Sequence, residues 1–108
     1  MATLDLLQGT LDLMVLRTLA LGAMHGYSVA RLIRDRSDGA FLVEEGALYP
    51  ALHRLQRRGW IESDWGTSDN NRRARFYALT AAGRARLTEE RQAWRRLSRT
   101  VELILAME

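Results

Sequence analysis

The chain predicts an α+β fold that is mainly α-helical with one small β-hairpin. The arrangement expected is a winged helix-turn-helix followed by a long C-terminal dimerisation helix. Three observations carry this. Glycines punctuate three consecutive helical segments, the third of which holds the only proline. Two short strand-like runs flank a polar turn rich in arginine. A final segment, starting at a capping threonine, is too long for a domain of this size to cover.

The first helix is expected over residues 7–21. Leu7, Leu11, Met14, Leu16, Leu19 and Leu21 are apolar, with Leu13 and Val15 between them. A helix apolar around most of its circumference is buried on more than one side. A second copy of the chain is one way to cover the extra side. Gly22 ends this helix, and Gly26 precedes the next, expected over residues 27–36. There Val29, Ala30, Leu32 and Ile33 face inward. Ser37-Asp38-Gly39 is a stop, and Phe41-Leu42-Val43 reads as a short extended strand.

Pro50 constrains the third helix. Proline is tolerated where the backbone N–H has no intrahelical acceptor, in the first four helical positions. With Gly46 as cap and Ala47 leading, Pro50 is fourth. The helix then runs to Arg58 and stops at Gly59, with Leu48, Leu52 and Leu55 as its core stripe. Residues 60–65 and 73–79 read as two strands, joined by Gly66-Thr67-Ser68-Asp69-Asn70-Asn71-Arg72. Thr80 then caps a helix over residues 81–107, roughly 40 Å long at 1.5 Å per residue. Gly83 stands where a capping box wants Glu or Gln. Leu87, Trp94, Leu97, Val101 and Ile104 form a heptad seam, vacant at Glu90, with Leu105 beside it. Residues 1–79 are thus expected to form the winged helix-turn-helix and 80–108 the dimerisation helix, as one structural unit.

All sixteen basic residues are arginine. Residues 1–53 hold four of them against six acids, residues 54–99 twelve against five, and residues 100–108 none against two. The overall charge of +3 hides this basic middle, which points to a localised anionic partner. The absence of cysteine excludes a disulfide scaffold, a cysteine zinc site and a thiol nucleophile. His25 and His53 are far apart without ligand spacing, so no metal site is expected. No phosphate loop or nucleophile elbow occurs, so neither a catalytic residue nor a cofactor is expected. The longest apolar run, residues 11–24, contains Asp12 and Arg17, which excludes a membrane span. No secretion-signal pattern follows Met1, so a cytoplasmic location is expected.

In a winged helix-turn-helix the N-terminal half of the third helix meets base edges in the major groove of double-stranded DNA. Here it offers Gly46, Ala47, Tyr49, Pro50 and His53, with Arg54 and Arg57 further along. The hairpin tip, with Asn70, Asn71, Arg72, Arg73 and Arg75, can reach the minor groove or the phosphates. Blander roles fit some of these residues too. Tyr49 suits a core aromatic, His53 an ordinary surface residue, and Arg54 with Arg57 a solvated face. Glu44 and Glu45 repel phosphate, so at least one is expected to turn away or pair with an arginine. Trp94 fits a packing knob between two chains. It also fits a cleft where paired indoles stack a flat, small aromatic ligand. Trp60 and Trp65 read as packing within the hairpin. The rival classes are a protein-interaction module, an RNA binder and a catalytic domain.

The segment Gly46-Ala47-Leu48-Tyr49-Pro50-Ala51-Leu52, followed by Leu55 and Gly59-Trp60-Ile61, resembles the signature of the PadR family of bacterial transcriptional repressors. Gly9-Thr10-Leu11, His25-Gly26-Tyr27, the run from Arg72 through Thr80, and Gly83-Arg84 extend the resemblance over nearly the whole chain. It implies a homodimer on a roughly two-fold symmetric operator, with the C-terminal helix packed on the partner's first helix. It also implies that a small aromatic compound can release the DNA. On that view Leu7, Leu11, Met14, Leu87, Trp94, Leu97, Val101, Ile104 and Leu105 serve dimerisation.

Overall fold

A computed structural model of the chain describes residues 8–108. Leu7, assigned above to dimerisation, lies outside the described residues. Four helices and three strands follow in order: α1 (Gln8–Leu19), β1 (Met24–His25), α2 (Gly26–Arg36), α3 (Glu45–Arg57), β2 (Ile61–Thr67), β3 (Arg73–Leu79) and α4 (Ala81–Leu105). The strands form one antiparallel sheet in the order β1-β3-β2. The core joins Leu11, Val15, Leu16 and Leu19 of α1 to Val29 and Ile33 of α2. Leu48, Ala51, Leu52 and Leu55 of α3 close it from the side, with Ile61, Tyr77 and Leu87.

The strand beside the hairpin is not where the sequence places it. Phe41-Leu42-Val43 forms no strand; Phe41 and Val43 instead pack as partly buried side chains against the core. Met24 and His25 take the strand position, opposite Tyr77 and Phe76 of β3. His25 then caps α2, its Nδ1 accepting from the Ser28 N–H at 3.3 Å.

Helix α3 also starts earlier than expected. Its N-cap is Glu44, whose carbonyl accepts from the Leu48 N–H at 2.9 Å. Pro50 is therefore the sixth helical residue and lies inside the helix. The carbonyl of Gly46 loses its i+4 donor as a result. Gly46 is exposed, so that carbonyl is open to water. At the other end Gly59 adopts φ of +78°, the left-handed turn that stops a helix.

Thr80 fastens the hairpin to α4. Its hydroxyl donates to the Gly59 carbonyl at 2.7 Å and accepts from the Gly83 N–H at 3.0 Å. Its own N–H donates to the Trp60 carbonyl. Gly83 is required for close approach, because a Cβ there would lie 1.9 Å from the Trp60 carbonyl oxygen. This explains why a glycine occupies the usual position of a capping-box carboxylate.

Two of the residues assigned to dimerisation belong to the single chain's own core. Leu11 and Leu87 are buried where α1 and the start of α4 meet. Beyond Leu87 the helix leaves the core. Trp94, Leu97, Val101, Ile104 and Leu105 are between 45% and 70% exposed.

Candidate nucleic-acid interface

Tyr49, His53 and Arg57 follow at i, i+4 and i+8 along α3 and share one exposed stripe. Gly46, Ala47 and Pro50 are exposed at the same helix's N-terminal half. Burial of Leu48, Ala51, Leu52 and Leu55 on the other side fixes this orientation. Tyr49 is not a core aromatic. It is 45% exposed, and its ring crosses Gly26 at the start of α2.

Arg54 departs from that stripe. Its Nη2 reaches Asp12 Oδ1 of α1 at 2.8 Å, and both side chains are largely buried. Position 54 is five residues beyond Tyr49, which rotates it toward α1. Its charge is spent inside the fold, contrary to its assignment as a DNA contact.

The hairpin carries the second group. Asn70, Asn71 and Arg72 are exposed at its tip. Ser68 orders the turn: its N–H donates to the Arg72 carbonyl at 2.7 Å, and its hydroxyl accepts from the Arg72 N–H at 3.3 Å. Asn71 has φ of +61°, a conformation that asparagine tolerates better than most residues. Arg73 and Arg75 project from one face of β3 beside Trp65. Among the described residues, no carboxylate lies within ion-pairing distance of Arg57, Arg72, Arg73 or Arg75.

Tyr49 and the hairpin residues meet around one open groove, which His53 and Arg57 do not line. Its walls include His25, Tyr27, Arg31, Tyr49, Trp65, Asn70, Arg72, Arg73, Arg75 and Tyr77, enclosing about 670 Å³. Helix α3 thus supplies one wall, the hairpin another, and the start of α2 the floor. Arg31 and Ser68 were not assigned to this surface from the sequence, and Trp65, read there as packing within the hairpin, is instead exposed at the groove. The His25-Gly26-Tyr27 triplet was the one signal for the α2 side. At the buried end of the groove, desolvation raises the pKa of Tyr77, the nearby Tyr49 adds to it, and the Arg75 charge opposes it.

Glu44 and Glu45 stand at the start of α3. Both are exposed, and among the described residues neither forms an ion pair, so of the two expected arrangements the pairing with an arginine is not the one found. They edge a second shallow groove that includes Arg31 and Arg34. Among the described residues, no group of three or more His, Cys, Asp or Glu side chains is placed to hold a metal ion. Nor is any described helix long and apolar enough to cross a membrane.

This architecture recurs in known proteins. A transcriptional regulator from Clostridium thermocellum superposes with a TM-score of 0.81 at 27% identity, over 93% of this chain and 96% of that one. A PadR-like regulator from Bacillus cereus gives 0.80 at 28% identity, over 94% and 96%. In sequence, the transcriptional regulator Rv3488 of Mycobacterium tuberculosis is 42% identical over 78 residues, 72% of this chain and 69% of that one. Residues 15–89, which include α2, α3 and the whole hairpin, match the transcriptional regulator PadR-like family. With this fold and this match, the chain belongs to the PadR-like family of transcriptional regulators.

Proposed function

We propose that the protein is a homodimeric repressor that binds a pseudo-palindromic operator. The observation that carries the reading is the shared groove. Tyr49 of α3 and the hairpin arginines Arg72, Arg73 and Arg75 border one concave surface, and His53 and Arg57 continue the exposed α3 stripe beyond it. A helix that enters the major groove leaves its flanking wing beside the phosphates or the minor groove. Tyr49 and His53 then lie nearest the base edges, with Gly46, Ala47 and Pro50 letting the backbone approach. Arg57, Arg72, Arg73 and Arg75 contact phosphates, with Asn70 and Asn71 at the wing tip.

The C-terminal segment, residues 80–108, supports the dimer. Trp94, Leu97, Val101, Ile104 and Leu105 are each at least 45% exposed in the single chain. Leu13, Met14, Leu21, Leu32 and Phe41 edge an apolar groove of about 510 Å³ between α1 and α2. A partner's seam laid along that groove would cover both surfaces. A dimer on two half-sites needs its recognition helices about 34 Å apart, in successive major grooves. A flat aromatic compound stacked between the two Trp94 rings would shift that spacing and release the DNA.

Fluorescence anisotropy on the DNA upstream of the protein's own gene tests this, with a scrambled duplex as control at about 0.15 M salt. Tight binding that saturates at one dimer per site and is lost on scrambling is the expected result. Equal weak binding to both duplexes would point to a site elsewhere, to be sought by selection from random DNA. Failure to bind any selected duplex would overturn the reading.

A further inference from the structure

The hairpin holds an exposed tryptophan that packing does not account for. Trp65 is 53% exposed. It lies directly opposite Arg75 across the β2–β3 pair, and Arg73 lies two residues away on the same face. The guanidinium carbon of Arg73 sits 4.5 Å from the centre of the indole ring, and that of Arg75 sits 5.2 Å away. One exposed ring thus gathers two cations.

We propose that Trp65 is a positioning residue that holds Arg73 and Arg75 in place for the phosphate backbone of a duplex. The inference rests on the DNA-binding reading above and deepens it. A guanidinium held over a ring keeps its full charge, and its N–H donors stay in its own plane, free to bond sideways. An ion pair with a carboxylate would restrain the same side chain but consume those donors. Arginine has many rotamers, so ordering two of them on binding is costly. A ring that restrains both beforehand removes part of that cost.

The other stacked tryptophan provides the contrast. Arg58 and Arg86 lie over Trp60 at 5.2 and 4.6 Å. Arg86, however, also reaches Glu90 at 2.5 Å and Glu89 at 3.5 Å. That stack is closed by carboxylates and stabilises the chain. The stack at Trp65 is open: neither of its arginines has a carboxylate partner among the described residues, and both border the groove.

A double-mutant cycle tests the assignment, read by anisotropy on a random-sequence duplex of about 30 base pairs at low salt. Trp65→Leu is expected to weaken binding by about five- to tenfold in the wild-type background, the size of two exposed cation–π contacts. In a chain carrying Arg73→Ala and Arg75→Ala, Trp65→Leu should change nothing. Trp65→Phe should recover part of the loss. An equal loss in both backgrounds would overturn the proposal, because the indole would then be stacking on the nucleic acid or shaping the wing. The free wild-type protein offers a readout that needs no variant to fold. The Nε–H protons of Arg73 and Arg75 should be shifted upfield by the indole ring current relative to that of Arg57. Unshifted resonances would also overturn it. A wild-type chain that binds no duplex removes the underlying reading, whereas intact binding without coupling removes the platform alone.

Discussion

The ring of Tyr49 lies across Gly26, where an added Cβ would come within 3.2 Å of the tyrosine's Cε1 and hydroxyl. This contact joins two motifs, His25-Gly26-Tyr27 at the start of α2 and Leu48-Tyr49-Pro50 in α3. The absence of a side chain at 26 lets the phenol end of the ring lie close against the start of α2. Gly26→Ala should therefore act on Tyr49 more than on the fold. A methyl at that distance needs a few tenths of an ångström, and a half-exposed ring can give way. Alanine also favours the helix by up to about 1 kcal/mol over glycine. Stability in urea should stay within about 1 kcal/mol of wild type, while affinity for a selected operator falls by about tenfold, one good base contact. Unchanged affinity would mean that Tyr49 does not need its place over Gly26.

The four helices, the hairpin and the core stripe of α3 were legible because they rest on side-chain periodicity and glycine stops. What escaped was decided by the backbone or by tertiary neighbours. Met24 and His25 form too short a strand to show alternation, and their pairing with Tyr77 and Phe76 is a matter of main-chain hydrogen bonds. The proline rule placed the start of α3 too late, because an exposed Gly46 carbonyl can turn to water and tolerate Pro50 two residues deeper. Arg54 looked like its exposed neighbours until Asp12, forty-two positions earlier, came within reach. The groove followed the same pattern. Its α3 and wing residues stood out as types, but the place of Tyr27 and Arg31 in it, and the exposure of Trp65 that had read as hairpin packing, became visible only when three elements converged.

The Asp12–Arg54 pair gives the second prediction. It links α1 to α3, with side chains only 12% and 21% exposed. Arg54→Ala leaves a mostly buried carboxylate without its partner, a change that costs about 3 kcal/mol. Urea denaturation should show a loss of that size. Binding of random duplex per folded molecule should be unaltered, because Arg54 does not face the groove. A stable variant with weakened binding would return Arg54 to the list of DNA contacts.

Tyr77 supplies a pH dependence. Burial raises its folded pKa above the ordinary 10.0, with a further contribution from Tyr49 against the lowering effect of Arg75. The folded state therefore holds the phenolic proton more tightly than the unfolded chain does. Stability is fully present below pH 10 and is lost as the pH rises through the folded value. The chain has no lysine, so that region is free of lysine titration. Urea midpoints collected upward from pH 9 should fall with a slope that Tyr77→Phe reduces. Identical slopes for the two proteins would place the alkaline loss elsewhere.

The exposed seam of α4 yields the last prediction. Leu97 and Val101 are 57% and 45% exposed and touch no part of the single-chain core. A glutamate at either position should therefore leave the winged domain folded. In a dimer the same carboxylate would be buried against apolar side chains, at a cost of several kcal/mol per ion. Both Leu97→Glu and Val101→Glu should sediment as monomers that melt cooperatively and retain their helical circular dichroism. Affinity for a two-half-site operator should drop far more than affinity for a single half-site, because the two recognition helices would no longer be linked. Leu11→Glu is the contrasting control. Leu11 lies in the chain's own core, so its replacement should unfold the protein rather than dissociate it. A Leu97→Glu chain that remained dimeric would show that the seam is not the interface, and the two chains would have to join elsewhere.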